Sequence, residues 1–269
     1  MSGFAGIEWR GKPLRLEVER VGPAPSADRP MVVFLHEGLG SVAMWRDFPA
    51  AFCAAHGFSG FVFSRYGYGR STAKPPDEHW PPEFMHQQAF EILPALFETE
   101  RIARPWLFGH SDGGSIALLH ASRCEVAGVV AVAPHLFVEE VSIASIEKAK
   151  VAFESTDLRE RLGRYHDDPD SAFRGWNDAW LSPAFRDWNI EAEIGSIACP
   201  VLAVQGEDDE YGTLEQVRAI HRRLPKTRLL VIPECGHSPH RDQPGILTRE
   251  AGRFILAHHP SSTSDRSFP

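Results

Sequence analysis

The pentapeptide GHSDG at residues 109–113 places a serine where it could act as a nucleophile. An apolar run, residues 105–108, precedes it, and residues 114–121 carry apolar side chains at helical spacing. A strand that turns sharply into a helix brings two backbone segments together, and the two glycines of the motif leave room for that approach. We therefore predict that Ser111 lies on a strained strand-to-helix turn, beside N–H groups of the helix start that suit an anionic intermediate.

A serine hydroxyl is a poor nucleophile at neutral pH, so this chemistry needs a base and a group that orients the base. Both are found further along the chain. His237 follows residues 229–233, which read as a buried strand, and four acids at residues 207–210 follow another apolar run, residues 199–206. An acid there would hold the imidazole in the tautomer that accepts the Ser111 proton. The chain order is then serine, acid, histidine.

Strands that alternate with helices must position these groups. The alternation predicts an α/β fold with a mainly parallel sheet covered by helices on both faces. An N-terminal hairpin is expected before the first parallel strand. A long helix, residues 84–101, is expected to be interrupted or kinked at Pro94. Further strands are predicted at residues 31–35, 61–63 and 126–132.

The segment 137–197 breaks the alternation, because it lacks strand-like runs and carries helical patterns followed by a cluster of aromatic residues. We therefore expect a core domain made of residues 1–136 and 198–259, with residues 137–197 as a helical cap. Most of the aromatic side chains are expected to pack this segment onto the core. The serine-rich stretch 260–269 is predicted to be disordered.

Composition narrows the class of protein. The 269 residues include 43% hydrophobic residues, enough for a large core without disulfides, and the four cysteines have neither zinc nor redox spacing. A net charge of −8 argues against nucleic acid or anionic membrane as a partner. The first ten residues lack a signal-peptide pattern, and no run approaches the ~18 apolar residues of a membrane span. We therefore expect a cytoplasmic monomer or homodimer that binds no metal.

Four stretches of the chain match a known family: SRYGYGRS at residues 64–71, SDGG at 111–114, CPVL at 199–202 and GH at 236–237. They resemble the alpha/beta-hydrolase superfamily, and within it the valacyclovirase-like (biphenyl hydrolase-like) serine hydrolases. The resemblance covers nearly the whole chain, from about residue 14 to residue 258. It implies an eight-stranded, mostly parallel sheet with an inserted helical cap over the active site.

The resemblance also assigns individual roles. The family spaces its acid as G-x-x-D after the seventh strand, which places it at Asp209, with Asp208 as a close alternative. In the family, two backbone N–H groups form the oxyanion hole. The resemblance implies that one is the N–H of Asp112, directly after the nucleophile, and that the other comes from an H-G-x-x-G loop. Alignment of that loop on residues 36–40 makes Gly38 the second donor.

Two acids and two tryptophans are candidate substrate-binding residues. Glu37 stands where the family has glycine, and we expect its side chain to turn away from the oxyanion and anchor the loop, with a direct substrate role as the alternative. The side chain of Asp112 could pair with a substrate ammonium, since the resembling group is associated with α-amino esters, or could serve as a helix-start acid. Trp176 and Trp180 are the cap aromatics expected to face substrate.

These residues together indicate a cofactor-free serine hydrolase that cleaves a small carboxylic ester, or an amide or thioester, through an acyl-enzyme. Two alternatives remain open. Related proteins use the same triad to hydrolyse carbon–carbon bonds of aromatic ring-cleavage products, and the fold also serves as a small-molecule sensor with incidental hydrolysis. A comparison of activity on vinylogous diketo acids with activity on aryl esters would separate carbon–carbon bond hydrolysis from ester hydrolysis.

Overall fold

Eight strands form a single sheet in the computed structural model, which describes residues 2–259 of the chain. They are β1 (Ser2–Trp9), β2 (Lys12–Val21), β3 (Met31–Leu35), β4 (Ser59–Phe63), β5 (Trp106–His110), β6 (Gly128–Val132), β7 (Val201–Gly206) and β8 (Arg228–Ile232). Their spatial order is β1, β2, β4, β3, β5, β6, β7, β8. The pairs β1–β2 and β2–β4 are antiparallel and the other neighbours are parallel, which confirms the predicted architecture.

Helices connect the parallel strands, and residues 137–197 contribute none of these strands. The helices are α1 (Phe48–His56), α2 (Phe84–Gln87), α3 (Leu93–Glu100), α4 (Asp112–Arg123), α5 (Glu140–Ser155), α6 (Leu158–Leu162), α7 (Pro169–Trp180), α8 (Glu191–Ile194), α9 (Glu215–Arg223), α10 (Pro239–Asp242) and α11 (Pro244–His258). The boundaries expected for a separate cap stay a prediction, and the stretch 260–269 lies outside the described residues.

The sheet separates two apolar cores, because successive side chains of a strand point to opposite faces. In β3, Val32 and Phe34 pack in one core with Phe52 of α1. Val33 packs in the other core with Ile116 of α4. Central strands buried on both faces read as continuous apolar runs, which is why the sequence marks them clearly.

The last strand differs from its prediction. Residues 229–233 read as a buried strand, but β8 lies at the edge of the sheet, where most of its residues are partly or fully exposed. The side chain of Val231 is 42% exposed. An edge strand has a neighbour on one side only, and its apolar content does not reveal that position.

The predicted interruption of the 84–101 helix occurs just before the proline. A wider π-helical turn, Gln88–Ile92, separates α2 from α3, and Pro94 lies in the first turn of α3. Proline has no N–H to donate to the carbonyl four residues earlier, and a π-turn absorbs such a break.

A Gly109→Ala substitution tests one of the close backbone contacts at the end of β5. A methyl group there would overlap the carbonyl oxygen of Gly113, which is backbone and has no rotamer to change. We expect a loss of about 1–3 kcal/mol or more in the free energy of unfolding, measured by urea denaturation. Gly6→Ala is the matched control, because nothing lies within 4 Å of a methyl group at that position. Equal stabilities of the two variants would contradict this account.

Candidate active site

Ser111 forms the turn between β5 and α4. Its backbone has φ 52° and ψ −122°, a positive-φ conformation that costs a non-glycine residue about 1–3 kcal/mol. The Ser111 N–H donates to the carbonyl of Val132 at 2.8 Å, which ties the turn to β6. Methyl groups at Gly109 and Gly113 would overlap backbone carbonyls, the second one that of Leu35. The strained turn is therefore held by backbone packing on two sides, as the motif predicts.

His237 and Asp209 meet at the carboxyl ends of β8 and β7. The Nδ1 atom of His237 lies 2.9 and 3.0 Å from the two carboxylate oxygens of Asp209. Asp209 also accepts hydrogen bonds from the Gln205 side chain at 2.6 Å and from the backbone N–H of Tyr211 at 2.8 Å. The sequence left two aspartates as candidates for the orienting acid, and Asp209 is the one whose carboxylate contacts His237. Asp208 is tied to the same loop by its backbone N–H, which donates to the carbonyl of Cys235.

Each member of this pair favours the charged form of the other. Burial alone would raise the pKa of Asp209, but the hydrogen bond and charge of His237 hold it below the usual value. Burial alone would lower the pKa of His237, but the hydrogen bond and charge of Asp209 raise it. An imidazolium that forms at His237 is therefore stabilised.

The loop that follows β3 is fixed by two donors on one carbonyl. The ring of His36 donates from Nδ1 to the carbonyl of Glu37 at 2.7 Å, and Arg65 donates to the same oxygen at 2.8 Å. His36 then accepts from the backbone N–H of Arg65 at 2.9 Å, which requires a neutral ring. Burial and the charge of Arg65 keep the pKa of His36 well below its usual range.

Gly38 follows this pinned carbonyl. A side chain there would overlap the indole of Trp176, so the residue must be glycine for α7 to approach the loop. A methyl group at Gly40 would overlap the Cβ atom of His36 as well as the carboxylate of Glu37. The structure thus explains both glycines of the loop by what packs on them.

Glu37 turns toward other protein groups. One carboxylate oxygen lies 3.5 Å from Nδ1 of His110, and the other lies 3.6 Å from the guanidinium of Arg241. Burial alone would raise the pKa of Glu37, but His110 and neighbouring histidines hold it well below the usual value. The carboxylate at this loop position is therefore ionised and faces basic side chains of the protein.

Asp112 is the first residue of α4, so its backbone N–H has no acceptor within the helix. Its side chain is fully buried and accepts a hydrogen bond from the indole N–H of Trp180 at 3.1 Å. The other carboxylate oxygen lies 3.7 Å from the guanidinium of Arg65, which is also buried. Burial raises the pKa of Asp112, while Arg65 and the Trp180 bond oppose that shift.

A cavity of about 150 Å³ lies above the Ser111 turn. It brings together all the predicted site residues except Asp209, which contacts His237 but does not line the cavity. The predicted residues that line it are Glu37, Gly38, Ser111, Asp112, Trp176, Trp180 and His237.

His135 is a cavity-lining residue that the sequence analysis missed. It follows β6, and its ring lies 4.9 Å from the ring of Trp180 and 5.9 Å from that of His237. Burial lowers the pKa of His135 to about 3, so the ring is neutral. Both His135 and Arg65 come just after strand ends, which is where sites form in parallel sheets, and that placement could have marked them.

Comparison with known proteins places this geometry in a family. The model of the alpha/beta hydrolase family matches residues 32–250, and the chain belongs to that family. The match confirms the resemblance expected from the four sequence stretches.

The relatives that the chain resembles include hydrolases. The chain is 23% identical over 226 residues to a proline iminopeptidase of Thermoplasma volcanium, covering 68% of this chain and 75% of that protein. It is 25% identical over 188 residues to the human serine hydrolase BPHL, covering 65% and 61% of the two chains. The structure of an enol-lactonase from Burkholderia xenovorans LB400 shares the fold, with a TM-score of 0.72, 20% identity, and coverage of 94% of this chain and 100% of that one.

Residues 2–259 contain neither a metal-binding cluster nor a helix suited to a membrane. No group of three or more histidine, cysteine or acidic side chains in this range is arranged to hold a metal ion. In the same range, none of the helices combines the length and the apolar character that crossing a membrane requires.

An Asp209→Asn substitution tests the electrostatics of the pair. The amide carries no charge, so burial should dominate and the pKa of His237 should fall below its wild-type value. Histidine-detected NMR titration measures this, with the His237 signal among 13 histidines assigned by a His237→Gln variant. Asp208→Asn is the matched control and should leave the His237 titration nearly unchanged. A shift as large in the control would show that the contact with Asp209 is not the cause.

Proposed function

We propose that the protein is a serine hydrolase that cleaves a small-molecule carboxylic ester through an acyl-enzyme. The proposal is carried by one observation: the strained serine turn and the imidazole of the His237–Asp209 pair line the same small cavity. A nucleophile, a base and an orienting carboxylate are the parts that acyl transfer needs.

In the proposed reaction, Ser111 Oγ attacks the ester carbonyl and its proton passes to Nε2 of His237. Asp209 holds Nδ1–H of the ring and stabilises the imidazolium that forms. The tetrahedral oxyanion accepts hydrogen bonds from the backbone N–H groups of Gly38 and Asp112, each worth roughly 3 kcal/mol. The C–O bond then breaks, the alcohol leaves with the proton from His237, and water hydrolyses the acyl-enzyme by the same steps.

The size of the cavity supports a small substrate. Its volume of about 150 Å³ is below the roughly 300–1,000 Å³ of pockets that hold drug-sized ligands. The indoles of Trp176 and Trp180, both from α7, form part of its wall. We propose that residues 137–197 act as a cap that keeps water from the reacting ester, where exclusion of water strengthens the oxyanion contacts.

An ester series tests this proposal. Purified protein should hydrolyse p-nitrophenyl acetate and butyrate with higher kcat/KM than the octanoate, because the longer chain exceeds the cavity. Ser111→Ala should lower kcat/KM by about a thousandfold or more. Ser122→Ala is the control on the same helix, since its hydroxyl bonds to the carbonyl of Leu119 away from the cavity.

Three results would contradict the proposal. Activity that survives Ser111→Ala would exclude the serine mechanism. Faster cleavage of a vinylogous diketo acid than of any ester would assign the protein to carbon–carbon bond hydrolysis. Negligible turnover combined with ligand binding would favour a sensor.

The charge of Asp112 bears on the substrate class. Its carboxylate already has the Arg65 guanidinium at 3.7 Å and the Trp180 N–H at 3.1 Å. The Oδ2 atom of Asp112 has no hydrogen-bond partner among the described residues, but the Arg65 guanidinium beside it carries the same charge as an ammonium. A substrate ammonium would therefore be repelled by Arg65 and would lose its hydration in a buried site for little attraction. We propose that the ester carries no ammonium group and that the side chain of Asp112 has a structural role.

A matched pair of esters tests the role of Asp112. The p-nitrophenyl esters of alanine and isobutyric acid differ by an ammonium in place of a methyl group. With each kcat/KM divided by the rate of hydroxide-catalysed hydrolysis, the isobutyrate should be at least as good a substrate. Asp112→Asn should lower both values by similar factors. A preference of about tenfold for the alanine ester that disappears in Asp112→Asn would establish ammonium recognition instead.

A further inference from the structure

His110, the residue before the nucleophile, contacts the loop that carries the candidate base. Its Nε2 atom lies 2.8 Å from the backbone carbonyl oxygen of His237. A carbonyl only accepts, so Nε2 bears the hydrogen and donates it. The ring of His110 is buried, with 1% of its side chain exposed, and lies 5.1 Å from the ring of His237. The position of the base loop is therefore tied directly to the end of β5.

The other nitrogen of the same ring contacts the loop after β3. Nδ1 of His110 lies 3.5 Å from a carboxylate oxygen of Glu37, and Glu37 directly precedes Gly38. Within the described part of the chain, Nδ1 has no hydrogen-bond partner at this distance. The carboxylate attracts the ring where Nδ1 also bears a hydrogen, so that both ring nitrogens present N–H groups to oxygen acceptors. The second oxygen of Glu37 faces Arg241, at 3.6 Å, in the short helix that follows the base loop.

The packing around His110 leaves this ring little freedom. The ring of His240 lies 4.8 Å away and that of Trp45 lies 6.3 Å away. Both nitrogens of His240 lack hydrogen-bond partners among the described residues, and burial lowers its pKa to about 2. A neutral ring without polar contacts packs against His110 but does not compete for its hydrogen bonds.

We propose that His110 and Glu37 form a second imidazole–carboxylate pair, whose function is to position the three parts of the active site relative to one another. His110 is a positioning residue that holds the carbonyl of His237, and Glu37 acts through His110. The inference rests on the proposed function, because it assumes that Ser111 and His237 react together. It assigns a role to the loop residue that departs from the family pattern, and to a histidine that forms no part of the proposed triad.

Labelling by a fluorophosphonate tests the inference without knowledge of the natural ester. The probe forms a covalent bond from its phosphorus to the serine oxygen and releases fluoride, and the serine proton passes to the base. The labelling rate therefore depends on the alignment of Ser111 with His237. If wild type fails to label, or Ser111→Ala labels as fast, the proposed function fails, and this outcome is separate from any result on His110.

His110→Met removes the donor, whereas His110→Gln keeps an amide N–H at a similar reach. We expect His110→Met to label about ten- to a hundredfold more slowly than wild type, because a shift of about 1 Å in a catalytic group can cost a hundredfold. His110→Gln should recover most of the rate. The control is His120→Met, which removes another buried imidazole bonded to a backbone carbonyl, that of Ala89 at 2.7 Å, outside the cavity.

The same assay separates positioning from stability. All variants are compared at a temperature where circular dichroism shows them folded. His110→Met that labels as fast as His120→Met overturns the inference, and so does equal slowing of His110→Met and His110→Gln.

Glu37→Leu gives a second comparison that does not require His110→Met to fold. Since Glu37 acts through the ring, Glu37→Leu should slow labelling severalfold in wild type and add little in the His110→Gln background. Full additivity of the two substitutions would overturn the role assigned to Glu37.

Discussion

The close backbone approach around Ser111 is the contact on which the site depends. The carbonyl of Gly113 leaves no room for a side chain at position 109, and the carbonyl of Leu35 leaves none at Gly113. Leu35 is the last residue of β3, so the same approach sets the loop that begins after it against the start of α4. The serine turn, the helix N-terminus and the loop of Gly38 are thus parts of one packing arrangement. A change in any of these backbone segments displaces the others.

Local pattern was sufficient to predict the groups that follow central strands. Ser111 and the acids at residues 207–210 each come after an apolar run, and a parallel sheet brings the carboxyl ends of its strands to one edge. The choice between Asp208 and Asp209 depends on which of two neighbouring side chains the loop directs toward His237, and spacing alone does not determine that direction. The edge position of β8 was missed for a related reason, because strand order is set by long-range pairing.

The residues that sequence reasoning missed are those whose partners are distant along the chain. His110 and the carbonyl it contacts are 127 residues apart, and Arg65 reaches a carbonyl 28 residues away. Neither histidine nor arginine carries a periodic signal, so only the folded chain reveals these contacts. Their places at strand ends were nonetheless visible. A rule that weighs every polar residue just after a predicted strand, instead of motif residues alone, would have included Arg65 and His135.

Three carboxylates around one serine would oppose the formation of an oxyanion unless each is balanced. Asp209 is paired with His237, Asp112 faces Arg65, and Glu37 lies between His110 and Arg241. Because charges interact strongly in a buried site, each partner must lie closer to its carboxylate than an anion formed at the serine would. This condition explains how the loop accommodates the carboxylate of Glu37: the acid lies among basic groups that face it from two sides.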